Sequence, residues 1–308
     1  MAKKIYKVGT RGSKLAVAQT TQVVNRLQKL NPGIELEITT IKTAGDSDTT
    51  TSLDQMGGIG VFTKKIETEL LAGNIDVAVH SAKDLPSVMT EGLKIGAVPE
   101  RESCADVWIS RDGSSIHEIQ PGATIGTSSP RRKAQLLCMR PELNVIDIRG
   151  NVETRLKKVN EGKYDATLMA HAGLIRSGHD KSITEILPPD RFIPAAGQGF
   201  LLIQIRTDDR AMAECAAAIN NHAARRCLVI ERLLLEKLKA GCTAAVGGWA
   251  RLSGNRIILS AVVLDKNGKT RLYADGNINL DSPNTKLVDK LTDKLFAKGA
   301  REIIEGYG

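Results

Sequence analysis

The sequence predicts two α/β units followed by a smaller α+β domain, and three observations carry this. Apolar, β-rich runs alternate with amphipathic helical patterns through the first two thirds of the chain, and the theme restarts past Pro99. The last third holds a leucine-rich helix and then three strands joined by Gly-Asn and Asn-Gly turns. Strand-helix alternation points to α/β domains with largely parallel sheets. Short turns of that kind join antiparallel strands. A chain of 308 residues is two to three times the usual domain length, which agrees.

The elements follow in order. Lys4–Thr10 reads as a strand. Leu15, Ala18, Val23, Leu27 and Leu30 recur at helical spacing, a helix with one buried face. Glu35–Lys42 is a strand, Phe62–Ala72 a helix ended by Gly73-Asn74, and Asp76–Ser81 a buried parallel strand. Past Pro99, strands are expected at Asp106–Ser110, Thr124–Gly126, Asn144–Ile148 and Ala166–Ala170. Helices are expected at Arg131–Met139, Val152–Asn160 and Ala172–Arg176. The last third contributes a buried helix over Ala223–Lys239 and strands at Thr243–Leu252, Arg256–Leu264 and Lys269–Asn279. A closing helix covers Thr285–Lys298.

Composition narrows the function. Hydrophobic residues make up 42% and charged residues 25%, an ordinary globular balance. Only 4 Phe, 4 Tyr and 2 Trp are present, too few for the stacking platform that single-stranded nucleic acid needs. No apolar run approaches the ~20 residues that span a bilayer. The N-terminus enters a strand pattern with no signal-peptide core, so a cytoplasmic protein is expected. The net charge of +8 is distributed, which suits several small anion sites better than one polyanion track. Five cysteines, at 104, 138, 215, 227 and 242, form no Cys-x-x-Cys pair, so neither a disulfide framework nor a metal site is indicated.

Three loops share one design: Thr10-Arg11-Gly12-Ser13, Gly126-Thr127-Ser128-Ser129-Pro130-Arg131-Arg132 and Arg149-Gly150-Asn151-Val152. Each leads from a strand into a helix that Ser or Asn can cap, and its backbone N–H groups face the strand's carboxyl end. Ligands of open α/β sheets bind at that edge. Arg131 and Arg132 fall in a first helical turn, where each cation opposes the dipole by roughly 0.3–1 kcal/mol. An anion held between them explains the pair; solvation, or pairing with Asp or Glu, is the alternative. His80-Ser81-Ala82-Lys83-Asp84-Leu85-Pro86 places a lysine and a carboxylate at a strand end, as proton-handling groups or as a structural ion pair. Met56–Phe62 is glycine-rich but fits no nucleotide motif, leaving a lid or a tight turn open. Cys242, between Gly241 and Thr243, is an accessible loop thiol and a nucleophile candidate.

Together these motifs resemble the porphobilinogen deaminase (hydroxymethylbilane synthase) family. The resemblance runs through Gly9–Ser13, Thr43-Ala44-Gly45-Asp46, Gly57–Phe62, Asp76–Pro86, Gly126–Arg132, Arg149-Gly150-Asn151, Pro194–Gly199 and Gly241-Cys242. It implies two periplasmic-binding-protein-like (type II) α/β domains around a cleft, plus a C-terminal α+β domain with a three-stranded antiparallel sheet. The implied bounds are 1–99 with 200–219, 100–199, and 220–308. The implied reaction condenses four porphobilinogen molecules head-to-tail, with loss of ammonia, to hydroxymethylbilane, in tetrapyrrole biosynthesis.

The resemblance also implies a dipyrromethane cofactor joined by a thioether to Cys242. It assigns Lys83, Thr127, Ser128, Ser129, Arg131 and Arg132 to that cofactor, and Arg11, Ser13, Arg149, Arg155 and Gln198 to substrate. Asp84 stands as the catalytic acid, stabilising the cationic azafulvene left by ammonia. Carboxylate-bearing pyrroles give the excess positive charge a reason, since arginines offer paired donors. Ile59, which stands where many bacterial members have a lysine, and Cys104, Pro130 and Ala245 depart from the common family pattern, and none removes a charged or nucleophilic group central to the implied mechanism. The expected partner is the small molecule porphobilinogen, with no nucleic acid and no membrane, and the protein is expected to be a monomer. The rival reading is a non-enzymatic anion-binding protein of the solute-receptor type.

Overall fold

The computed structural model describes residues 4–42, 63–241 and 243–307. Thr43–Asp46, the glycine-rich stretch to Phe62 with Ile59, and Cys242 lie outside the described residues. The chain forms two compact units, Met1–Glu102 with Gly199–Arg226, and Ser103–Gln198 with Cys227–Gly308.

In the first unit, β1 (Lys4–Arg11), α1 (Lys14–Leu30), β2 (Ile34–Ile41), α2 (Lys64–Leu71) and β3 (Val77–Ser81) come in order. β4 (Leu93–Ala97) follows, and the returning segment adds β10 (Leu201–Arg206) and α6 (Arg210–Ala217). The sheet order is β2-β1-β3-β10-β4. Tyr6, Val8, Val23, Leu27, Ile203, Ile205 and Met212 fill one face, beneath α1 and α6. Ile66, Leu70, Ile75 and Ala78 fill the other, beneath α2. Both faces of the sheet are covered, as strands with near-continuous apolar runs require.

The second unit repeats the plan with β5 (Asp106–Ser110), β6 (Thr124–Gly126), α3 (Pro130–Met139), β7 (Asn144–Ile146) and α4 (Val152–Asn160). β8 (Ala166–Ala170), α5 (His171–Ser177) and β9 (Glu185–Leu187) complete a sheet of order β7-β6-β8-β5-β9. Each sheet thus has three parallel strands, then an antiparallel strand, then a further one, the plan that the family resemblance implies. The expectation of largely parallel sheets needs correction. β10 runs antiparallel to β3 and β4, and β5 antiparallel to β8 and β9. Neither strand enters its sheet through a local strand-helix-strand crossover, the connection that enforces parallel pairing.

The remainder of the second unit is α7 (His222–Leu238, in this unit from Cys227), the meander β11 (Ala245–Ser253), β12 (Arg256–Leu264) and β13 (Arg271–Asn279), then α8 (Asn284–Phe296) and α9 (Ala300–Glu305). The strands pair antiparallel in continuous register, as their short turns predict. The β12–β13 turn rests on α3 through Gly268, whose φ is +69°. A Cβ there would sit 2.3 Å from the Ala134 carbonyl oxygen and 2.6 Å from the Cys138 amide, so only glycine fits. Glu231 of α7, fully buried, fastens this part further. It accepts the Gly197 amide at 2.6 Å and the Ala250 amide at 2.8 Å.

Candidate active site

In the first unit, a small cleft opens at the carboxyl ends of β1 and β3 and is lined by Arg11, Ser13, Gln19, His80 and Asp84 among others. Arg11 ends β1. Ser13 caps α1, its hydroxyl oxygen accepting the Ala16 amide at 3.3 Å. Asp84 closes the 3₁₀ turn Ala82–Asp84 directly after β3, and the Ala82 amide donates to the carbonyl of Phe200, just before β10, at 3.0 Å. The cleft therefore holds a guanidinium and a half-buried carboxylate on neighbouring strand ends. Lys83 belongs to the same turn and is also half-buried, and it is not among the lining residues.

The second unit gathers its arginines differently from the sequence expectation. Arg131 and Arg132, 4% and 7% exposed, close on Asp106 at the start of β5, which is wholly buried. Arg131 Nη1 reaches Asp106 Oδ2 at 2.7 Å and the Ile193 carbonyl at 2.8 Å. Arg132 reaches Asp106 Oδ1 through Nε at 2.9 Å and Nη2 at 2.8 Å, and the Leu168 carbonyl through Nη1 at 3.2 Å. Burial pushes the Asp106 carboxyl up. The Arg131 and Arg132 charges, with hydrogen bonds from Arg131 and Gln198, overcome that and hold it well below the usual carboxylate range. One carboxylate against two guanidiniums leaves the cluster with one positive charge.

Arg149 and Arg155 add to it. Asn151 caps α4, accepting the Thr154 amide at 2.9 Å, and Arg155 Nε donates to the Gly150 carbonyl at 2.8 Å. Burial, then the charges of Arg132 and Arg149, push Arg155 down to about 10. Arg155, partly withdrawn from water beside two further guanidiniums, marks a site short of negative charge. A ligand bearing several carboxylates relieves that, so these residues fit a dipyrromethane with acidic side chains.

Several of the assigned residues also hold one another in place within the second unit. Gln198 is buried and its amide nitrogen donates to Cys104 and Ala105 carbonyls and to Asp106 Oδ1, at 2.8, 3.2 and 3.1 Å, which makes it a brace for Asp106. Ser128 gives its hydroxyl proton to the Ile148 carbonyl at 2.9 Å. Thr127, 2% exposed, accepts the Ser129 amide at 3.3 Å. Ser129 caps α3 by accepting the Arg132 amide at 3.4 Å, so its own proton remains available to an anion. Asp106 is the residue that sequence reasoning missed; the one available signal was a carboxylate opening a buried strand. Cys215 and Cys227 are buried, and burial pushes the Cys215 thiol up, away from nucleophilic use.

Residues 6–214 match the family model described as porphobilinogen deaminase, dipyromethane cofactor binding domain, and residues 225–297 match porphobilinogen deaminase, C-terminal domain. The chain belongs to the porphobilinogen deaminase family. A deaminase of Carboxydothermus hydrogenoformans is 43% identical over 303 residues, covering 98% of this chain and 97% of the relative. One of Desulforudis audaxviator is 43% identical over 297 residues, covering 96% of each. Among solved structures, the second substrate-binding domain of Lactococcus lactis GlnP shares 11% identity at a TM-score of 0.44, covering 71% of this chain and 89% of that one.

Proposed function

We propose that Asp84 is the catalytic carboxylate of the family's reaction, a transferase step that condenses four porphobilinogen molecules into hydroxymethylbilane for tetrapyrrole biosynthesis. The observation that carries this is the first-unit cleft, where Arg11 and Asp84 line one cavity. Arg11 and the capped start of α1 suit a substrate carboxylate. When ammonia leaves, Asp84 stabilises the resulting cation through its N–H, and it then handles the proton released as the new carbon–carbon bond forms. The family model brings the dipyrromethane cofactor. That group supplies the primer to which pyrroles are added, and Cys242 is read as its attachment point.

In the second unit, Arg149 and Arg155, with the charge of Arg132 and the Ser129 hydroxyl, are read as the carboxylate hosts. Arg131 keeps a scaffolding part on Asp106. A solute receptor is not better supported, since the family match extends through the cofactor-binding and C-terminal models. Among the described residues no helix is long and apolar enough to cross a membrane. We read the protein as cytoplasmic and monomeric, binding no nucleic acid. Residues 100–199 and 220–308 are read as separate domains because their sheets share no strand.

The chain's carboxylates move as rings are added, so the arginines should act at different stages. Neutral replacements of Arg11, Arg149 and Arg155 are expected to stall elongation at different points, seen by intact mass as enzyme bearing one, two or three extra pyrroles. Uniform loss of first binding at all three positions contradicts this.

A further inference from the structure

A line of buried polar side chains runs behind the first-unit cleft and is unused by the chemistry above. His80 of β3 and Gln204 of β10 are diagonal neighbours on one sheet face, since His80 pairs with Leu202 and Gln204 with Ala78. His80 Nε2 lies 3.1 Å from Gln204 Oε1. Gln204 Nε2 lies 2.7 Å from Glu67 Oε1 and 3.0 Å from Met89 Sδ. Thr90 donates to Glu67 Oε2 at 2.9 Å. Gln204 is wholly buried, and His80 and Glu67 are 5% and 6% exposed.

Only one polarity satisfies this line. A thioether sulfur and a carboxylate oxygen accept, so the Gln204 amide nitrogen must face Met89 and Glu67. Its carbonyl oxygen then faces His80 and requires a ring N–H at Nε2. Burial lowers the His80 pKa to about 4; the Gln204 hydrogen bond opposes this and the Arg11 charge adds to it. The ring is therefore neutral near pH 7, with its lone pair on Nδ1. His80 also lines the cleft that contains Asp84.

We propose that Glu67, Met89 and Gln204 lock His80 as its Nε2–H tautomer, so that Nδ1 accepts the N–H of a pyrrole held in the cleft beside Asp84. Glu67 and Gln204 are positioning residues, and His80 orients substrate without adding a second charge next to Arg11. The proposal rests on reading this cleft as the place where Asp84 meets pyrrole N–H groups.

The test is ¹⁵N NMR of the imidazoles in the holoenzyme between pH 6 and 8, with and without porphobilinogen. Expected are a protonated Nε2, an unprotonated Nδ1 and an Nδ1 signal that moves when porphobilinogen is added. The Nδ1–H tautomer, or titration in that range, overturns the lock; an Nδ1 signal indifferent to porphobilinogen overturns the contact. His80→Gln keeps a donor toward Gln204 and removes the ring acceptor at the Nδ1 position, its own carbonyl oxygen branching from the carbon that bears that donor. It is expected to keep its Tm and lose about tenfold in kcat, the scale of one hydrogen bond. A folded His80→Gln enzyme with full kcat overturns the substrate role. Normal turnover in Asp84→Asn would instead remove the reading of the cleft, while the measured tautomer would stand.

Discussion

Replacing Asp84 by Asn is expected to lower turnover by ~10²–10³, the usual consequence of removing one preorganised group that stabilises developing charge. The substitution keeps the size and hydrogen-bonding outline of the side chain, so the turn Ala82–Asp84 and its link to Phe200 should survive. What disappears is the negative charge facing the cation left by ammonia. Substrate binding, assigned to Arg11 and the α1 start, should change far less than kcat. Single-turnover kinetics with porphobilinogen, alongside a melting curve, separates the two. A folded variant with near-normal kcat contradicts the assignment.

Replacing Asp106 by Asn should have the largest effect on stability. Two guanidiniums, 4% and 7% exposed, would lose the carboxylate that neutralises one of them. Breaking a buried ion pair from one side costs about 3–5 kcal/mol. In a unit of this size that lowers Tm by roughly 10 °C. The pH dependence follows from the same charges. The folded carboxyl is held below its unfolded value, so its contribution is fully present above the unfolded pKa of about 4 and is lost as pH falls through the folded value. Thermal melts from pH 7 to pH 3 should show wild type losing stability with acid, and Asp106→Asn losing less from a lower start. Equal Tm values at pH 7 contradict the network.

The helix caps were legible because they are local. Ser13, Ser129 and Asn151 each bond an amide three residues on, so the pattern of strand, polar cap and helix contains the whole interaction. Asp84 stood out as a candidate for the same reason, three residues after the strand Val77–Ser81, whose first four residues are buried. The pairing of Arg131 and Arg132 with Asp106 was not legible, because it joins a helix start to a strand 25 and 26 residues earlier. Nothing in the local pattern chose between a bound anion, solvent and that carboxylate. β10 escaped the same way: Leu201–Arg206 is an apolar run without periodicity, and its place between β3 and β4 depends on the chain returning from the other unit. β4 and β9 are short sheet-edge strands, at the limit of what alternation can signal.

Attachment of the growing chain to the protein is the central claim, and intact-protein mass tests it most directly. The purified enzyme should be heavier than its sequence by one dipyrromethane, and adding porphobilinogen should produce a ladder of further single-pyrrole steps. Cys242→Ser should fold and show the bare mass, because a serine hydroxyl is far less available as an anion than a thiol. Ser replacements at the other four cysteines should keep the adduct. A wild-type mass equal to the bare sequence with no ladder, or an adduct that persists in Cys242→Ser, contradicts the account.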